Sequence, residues 1–275
     1  MSGTDPAKFL QAAVEAAREA GELLMHEFDR PQQLTYKGEV DIVTEADRKS
    51  EALIVGQLRR RFPDHAILGE EGGASGSNGA AYQWLVDPLD GTTNFAHGFP
   101  VFAVSIGLLE NGEPLVGAVY NPVTRELFSA RRGEGAYRGE KRIRVSTVRS
   151  LSKCLLATGF PTRKRTQNPN IHYYWEFTLR SHGVRRAGSA ALDLCSVACG
   201  QFDGFWEFGL KPWDTGAGVL LVREAGGMVT DFSERSYHPG DPELLATNGL
   251  IHGEMRELAV EIKQRAATEH LEGVG

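Results

Sequence analysis

Apolar positions follow two periods along this chain, and the balance between them shifts with length. Phe9, Ala13, Ala16, Ala20, Leu23, Leu24 and Phe28 recur on one helical face behind Asp5-Pro6, a capping side chain followed by a proline suited to a first turn. They predict an amphipathic helix to about residue 29, stopped by Pro31. Residues 35–43 read as a short hairpin with Lys37-Gly38-Glu39 at its tip. A second helix runs from Thr44 to Arg61 until Phe62-Pro63-Asp64 breaks it. Short strands then follow at Ala66-Ile67-Leu68 and at residues 83–86, with a Ser/Gly/Asn-rich surface loop to Gly79 between them. Runs at 102–109, 115–120, 127–130 and 136–137 are divided by Asn111-Gly112, Asn121-Pro122 and Gly133-Glu134-Gly135. They predict an antiparallel meander.

After about residue 148 the texture becomes an alternation. Strands are expected at 155–157, 184–187, 202–208, 228–229 and 245–246, and helices at 170–180, 189–199, 215–224 and 254–267. Residues 1–148 thus form an α+β half and residues 149–275 an α/β half. No long linker divides them, so layered sheets and helices in one catalytic body are expected. Asp214 stands at the expected N-cap of the helix over 215–224, and Gly216-Ala217-Gly218 behind it would let that helix lie close to another backbone.

Composition narrows the partners. A net charge of −6 over 275 residues argues against wholesale wrapping of nucleic acid or adhesion to an anionic membrane. The basic clusters Arg59-Arg60-Arg61, Arg163-Lys164-Arg165 and Arg185-Arg186 read as solvated charge before they read as a docking surface. Cys154, Cys195 and Cys199 are an odd count without framework spacing, which points to a reducing compartment. The first residues lack the pattern of a signal peptide, and no apolar run is long enough to span a bilayer. The chain therefore reads as cytoplasmic.

The chemistry concentrates at Asp87-Pro88-Leu89-Asp90-Gly91-Thr92-Thr93-Asn94, at the end of the apolar run Trp84-Leu85-Val86. Two carboxylates this close repel, and a divalent cation between them removes that cost. Oxygen donors suit Mg²⁺ or Mn²⁺. Gly-Thr-Thr can open a helix whose N–H groups face an anion. The same residues also suit a plain strand-end turn. Glu70, beside Glu71, and Asp214, after Trp213, repeat the context of an apolar run, a carboxylate and small residues. Asp47, three residues after Thr44, reads on its own as half of a capping box.

Gly69-Glu70-Glu71, the Asp87–Phe95 segment and Trp213-Asp214 with its small-residue run resemble the inositol monophosphatase family over about residues 8–265. The resemblance implies a layered αβαβα sandwich, a homodimer, and lithium-sensitive phosphomonoester hydrolysis that needs two or three Mg²⁺ per subunit, with Mn²⁺ as a substitute. It implies one metal on Glu70, Asp87 and the Leu89 carbonyl, and a second on Asp87, Asp90 and Asp214. Thr92 and Asp47 resemble the pair that orients the attacking water, and Glu70 joins them as a catalytic group. Gly91 and Thr92 would meet the phosphate, with Lys37 beside it. Gly188, Ser189, Ala190 and Glu207, with Asp90 and Asp214, would meet the hydroxyl-bearing part of the substrate.

The implied reaction is hydrolysis of a small polyol or sugar phosphomonoester by metal-activated water, with myo-inositol monophosphate first. Fructose 1,6-bisphosphate, histidinol phosphate and 3′-phosphoadenosine nucleotides stay open, and the charge of Glu207 weighs against a second phosphate. A transcription-complex binding role independent of catalysis is the reading from another class. Lys211-Pro212 before Trp213, and Gly216 where alanine is more usual, depart from the family pattern without touching an implied ligand.

Overall fold

Alanine lets the first helix lie close to the sheet beneath it. α1 (Pro6–Phe28) buries Ala13, Ala16, Ala17, Ala20 and Leu24 with no exposed surface. The structure is a computed structural model of the chain and describes residues 5–28, 30, 35–36, 42–76, 79–160 and 168–272. β1 (Thr35–Tyr36) and β2 (Ile42–Val43) pair antiparallel ahead of α2 (Glu45–Arg61). β3 (Ala66–Gly69), β4 (Gly73–Ser75), β5 (Tyr82–Asp90), the short α3 (Thr92–Ala96), β6 (Ala103–Glu110), β7 (Glu113–Asn121), β8 (Glu126–Arg131), β9 (Gly135–Arg138) and β10 (Lys141–Ile143) follow. The eight strands from β3 onward form one sheet in the order β10-β9-β8-β7-β6-β5-β3-β4. Its neighbours are antiparallel except β3 and β5, which run parallel.

The second sheet is built from β11 (Leu155–Thr158), β12 (Gly183–Arg185), β13 (Gly204–Phe208), β14 (Met228–Thr230) and β15 (Glu243–Thr247), in the order β12-β11-β13-β15-β14. Between its strands the chain forms α4 (Asn170–Arg180), α5 (Ala190–Ala198) and α6 (Pro212–Glu224), and α7 (His252–Glu272) closes it. α1 and α2 cover one face of the large sheet, α5 and α6 fill the space between the sheets, and α4 and α7 cover the far face of the small one. This is an αβαβα sandwich, an α+β layered fold.

Strand alternation divides the core accordingly. Trp84, Val86, Val104, Ile106 and Leu108 pack toward α1 and α2. Ala103, Val119, Phe128 and Ala130 pack inward with Leu194, Val219 and Leu221. Leu156, Trp206 and Leu245 pack outward with Phe177, Met255 and Ala259.

The small-residue run behind Trp213-Asp214 has the role its composition suggested. Gly107 and Gly117 face each other across β6 and β7. A Cβ on Gly107 would lie 3.0 Å from Ala217 N, and one on Gly117 would lie 2.9 Å from Ala217 Cα and O. The backbone of α6 therefore rests directly on the sheet. Gly117→Ala is expected to cost about 1–3 kcal/mol by overpacking, read as a lower midpoint in urea unfolding; an unchanged midpoint would show that α6 can lift.

Several boundaries differ from the sequence reading. α6 starts at Pro212 with Lys211 as its N-cap, so Asp214 is the third helical residue and not the cap. Proline fits a first turn, and Asp214 accepts a hydrogen bond from the Lys211 N–H at 2.7 Å. β5 continues past Val86 to Asp90, because a register shift between Asp87 and Asp90 accommodates Pro88. Part of the expected loop before Gly79 is β4, β10 was not anticipated, and the last helix extends to Glu272. None of the helices among the described residues is long and apolar enough to cross a membrane.

Candidate active site

Parallel pairing of β3 with β5 creates the site. Gly69 registers with Val86, and the Glu70 N–H donates to the Val86 carbonyl at 3.2 Å, so Glu70 follows the end of β3 beside Asp87, which is still paired with Ser105 of β6. The β5 irregularity then turns the chain. The Leu89 N–H donates to Asp87 Oδ1 at 3.0 Å, and Asp90 re-enters the ladder opposite Ala103. Gly91 is the N-cap of α3, with φ +98°, a left-handed conformation, and a Cβ there would meet Val101 O at 2.9 Å.

The layer between the sheets supplies the opposite wall. Asp90 Oδ2 accepts the Ser189 hydroxyl at 2.5 Å and the Ala191 N–H at 2.7 Å, so the start of α5 is tied to this one carboxylate. The Ser189 side chain, sought as a substrate contact, is turned inward to Asp90. Gly188 and Ala190 flank it, and Asn94 Nδ2 holds the turn through the Ala187 carbonyl at 2.8 Å. Asp214 enters from the first turn of α6, and Glu207 from β13. Glu207 is seated over Gly159, where any Cβ would fall 2.2 Å from either carboxylate oxygen.

Electrostatics bind these groups into one basin. Burial first, then Glu70, Asp90 and Asp214, push Asp87 well above the usual carboxylate range, with the Leu89 N–H acting against them. Burial raises Asp90 to about 6 against its hydrogen bonds from Ser189 and α5. It raises Asp214 to about 7, opposed by the Lys211 N–H and assisted by Asp90. Glu207 reaches about 8 through burial and the charges of Asp214 and Asp90. Asp193, on α5, is raised by burial and then by Glu207 and Asp90. The sequence reading passed over Asp193, whose one visible signal was a carboxylate inside the apolar run Ala190-Ala191-Leu192 to Cys195.

The donor set fits a hard cation. Hydrogen bonds from the described residues fall on one oxygen of Asp87 and one of Asp214, leaving the other for a metal, and the Ser189 and Ala191 bonds fall on Oδ2 of Asp90. As the side chains stand, no three acidic, histidine or cysteine groups among the described residues are placed to hold a metal ion together. The excess of negative charge is the physical argument for a cation.

Asp47 shows both of its readings at once. Its Oδ2 accepts the Thr44 N–H at 2.8 Å and the Thr44 hydroxyl at 2.6 Å, and its Oδ1 accepts the Thr92 hydroxyl at 2.9 Å. Burial raises its pKa while those three bonds oppose the rise. The Thr92 hydroxyl also stands 3.0 Å from the Leu89 carbonyl, and with one proton it donates to a single acceptor at a time. Lys37 lies outside the described residues.

The raised acids fix the sign of the pH dependence. Each holds its proton more tightly folded than unfolded, where carboxyls titrate near about 4. Stability of the metal-free protein is therefore full below that value and lost as pH rises through about 6 for Asp90, 7 for Asp214 and 8 for Glu207. The melting temperature in EDTA is expected to fall across that window, and Mg²⁺ to restore more of it at the alkaline end. A flat profile in EDTA would contradict the electrostatic picture.

A layered fold with this carboxylate basin beside a glycine-started turn defines a phosphomonoesterase. A model of the inositol monophosphatase family matches residues 5–267, and the chain belongs to that family of phosphoric monoester hydrolases. It is 47% identical over 258 residues to an inositol-1-monophosphatase of Synechocystis, covering 93% of this chain and 90% of the relative. It is 46% identical to the Nus factor SuhB of Pseudomonas aeruginosa, covering 89% of this chain and 90% of that protein. The solved inositol monophosphatase of Anabaena superposes with a TM-score of 0.85 at 45% identity, over 93% of this chain and 96% of the other.

Proposed function

We propose that the protein hydrolyses a small polyol or sugar phosphomonoester, with myo-inositol monophosphate as first substrate. The observation that carries this reading is the convergence of Glu70, Asp87, Asp90 and Asp214 beside the Asp47–Thr92 hydrogen bond. Glu70, Asp87 and the Leu89 carbonyl would hold one Mg²⁺, and Asp87, Asp90 and Asp214 a second, with Mn²⁺ as a substitute. When bound, Mg²⁺ supplies Lewis-acid charge stabilisation and makes a nucleophile available at neutral pH. Thr92, its hydroxyl proton committed to Asp47 Oδ1, presents oxygen lone pairs that orient the attacking water. Gly91 and Thr92 at the start of α3 face the phosphate. Gly188, Ala190 and Glu207 receive the substrate's hydroxyls, with Ser189 acting through Asp90. Burial and the charges of Asp214 and Asp90 raise Glu207 to about 8 in the metal-free state, and cations held by those two aspartates would favour its charged form, which weighs against a second phosphate.

The test is phosphate release from inositol, fructose 1,6-bisphosphate, histidinol and 3′-phosphoadenosine phosphates, with and without Mg²⁺. Magnesium-dependent release, fastest from inositol monophosphate, is the expected result. Faster release from one of the others replaces the substrate, and no release from any by the folded protein overturns the catalytic reading.

The assembly we propose is a homodimer, supported by the exposed apolar stripe Ile171, Trp175 and Leu179 along α4. Light scattering should then report twice the chain mass, and Trp175→Glu should halve it. The free cysteines support a reducing, cytoplasmic setting. A second reading, a partner role in a transcription complex, is favoured by relatives named Nus factor SuhB. Retention of a partner by the inactive Asp90→Asn protein in a pull-down would support it.

A further inference from the structure

The segments that carry the site come from separate parts of the chain, and one helix grips three of them. Asp47, Ser50 and Glu51 stand at i, i+3 and i+4 of α2, so they share a face. All three are buried, with 0%, 0% and 6% of their surface exposed. Asp47 reaches Thr92, as described. The Ser50 hydroxyl donates to the Pro88 carbonyl at 2.9 Å, inside the irregular stretch between Asp87 and Asp90. Glu51 Oε2 accepts the Glu71 N–H at 2.8 Å, and its Oε1 accepts the Gly72 N–H at 2.6 Å.

The turn has been shaped around that carboxylate. A Cβ on Gly69 would lie 2.6 Å from Glu51 Oε2, and one on Gly72 would lie 2.8 Å from Oε1. Glycines on both sides of Glu70-Glu71 therefore make the cradle in which Glu51 sits. Burying a carboxylate is costly, and this one spends both oxygens on the backbone N–H groups immediately after Glu70.

We propose that Glu51 and Ser50 are positioning residues for the metal ligands: Glu51 sets the turn that aims Glu70, and Ser50 sets the Pro88 carbonyl within the segment that presents Asp87 and the Leu89 carbonyl. This rests on the metal-site reading given above. With Asp47 they make α2 a single rigid rail that holds Glu70, Asp87 and Thr92 in mutual register. Neither side chain is among the groups proposed to hold the metal or meet the substrate, and both are engaged by backbone groups. Partners of this kind tune affinity by ordering the ligands before a metal arrives.

Calorimetric titration with Mn²⁺ alone, on the full chain, tests the proposal without relying on turnover. Glu51→Gln turns an NH₂ group toward one of the two N–H donors, so the turn is released. It is expected to bind Mn²⁺ about ten- to a hundred-fold more weakly while keeping a cooperative melt in EDTA, and raised Mg²⁺ should recover most of kcat. Ser50→Ala should show a smaller loss of the same kind. Should Glu51→Gln not fold, Gly72→Ala carries the test, since Gly72 lies at the surface and its methyl would displace the Glu51 carboxylate. A folded Glu51→Gln or Gly72→Ala protein with wild-type Mn²⁺ affinity overturns the positioning role. If the wild-type chain binds no Mn²⁺, the metal-site reading fails and takes this inference with it; wild-type binding lost in Asp87→Asn upholds that reading independently.

Discussion

Asp87→Asn is expected to lower phosphate release by about a thousand-fold while raising the melting temperature of the metal-free protein. The two effects share one cause. Asp87 is 2% exposed and surrounded by Glu70, Asp90 and Asp214, so its charge is strained unless a cation answers it. An amide removes that charge and keeps the shape, which relieves the metal-free fold. It also removes the anion proposed to serve both metals. Metal stabilisation of transition-state charge is worth several kcal/mol, and about 1.4 kcal/mol is tenfold in rate, which gives the expected magnitude. The thermal gain should be smallest near about pH 4, where unfolded carboxyls also keep their protons, and should grow as pH rises. Phosphate release at limiting Mg²⁺ and a melt in EDTA decide the matter. Near-wild-type turnover would remove Asp87 from the site; lost turnover without a thermal gain would place the strain on its neighbours.

The parts of this molecule that could be read from the sequence are those governed by local chemistry. The alanine face of α1, the turns of the meander and the cap at Thr44 each follow from residues close in the chain. The carboxylates at 70, 87, 90 and 214 were legible as motifs. Their meeting depends on β3 pairing parallel with β5 and on α6 lying against Gly107 and Gly117, contacts between distant segments that no local pattern encodes. The start of α6 was misplaced because Asp214 makes the hydrogen bond of a third helical residue, and carboxylates are common both there and at the cap. Ser50 and Glu51 were invisible for a related reason. On a helix of low overall hydrophobicity, a buried polar side chain looks the same in sequence as a solvated one.

Thr92→Val should separate catalysis from stability, because Asp47 divides its two oxygens between two tasks. Oδ2 is taken by Thr44 and holds the start of α2, whereas Oδ1 takes only the Thr92 hydroxyl among the described residues. Valine keeps the branched shape at 92 and removes the hydroxyl that orients the water. A loss of about 10²–10⁴-fold in kcat is expected, the range for a positioned group that handles a proton in the transition state, with Mn²⁺ affinity unchanged. Asp47→Ser takes away both functions. It retains a short hydroxyl near the cap, yet gives up the carboxylate that receives Thr44, so it should lose rate to a similar extent and about 1 kcal/mol of stability besides. If water orientation runs through the Asp47–Thr92 bond, the double variant should be scarcely slower than either single one, since both remove the same interaction. Multiplied losses in kcat would instead mean that Asp47 and Thr92 act on the reaction separately, with Asp47 doing so through the ordering of α2.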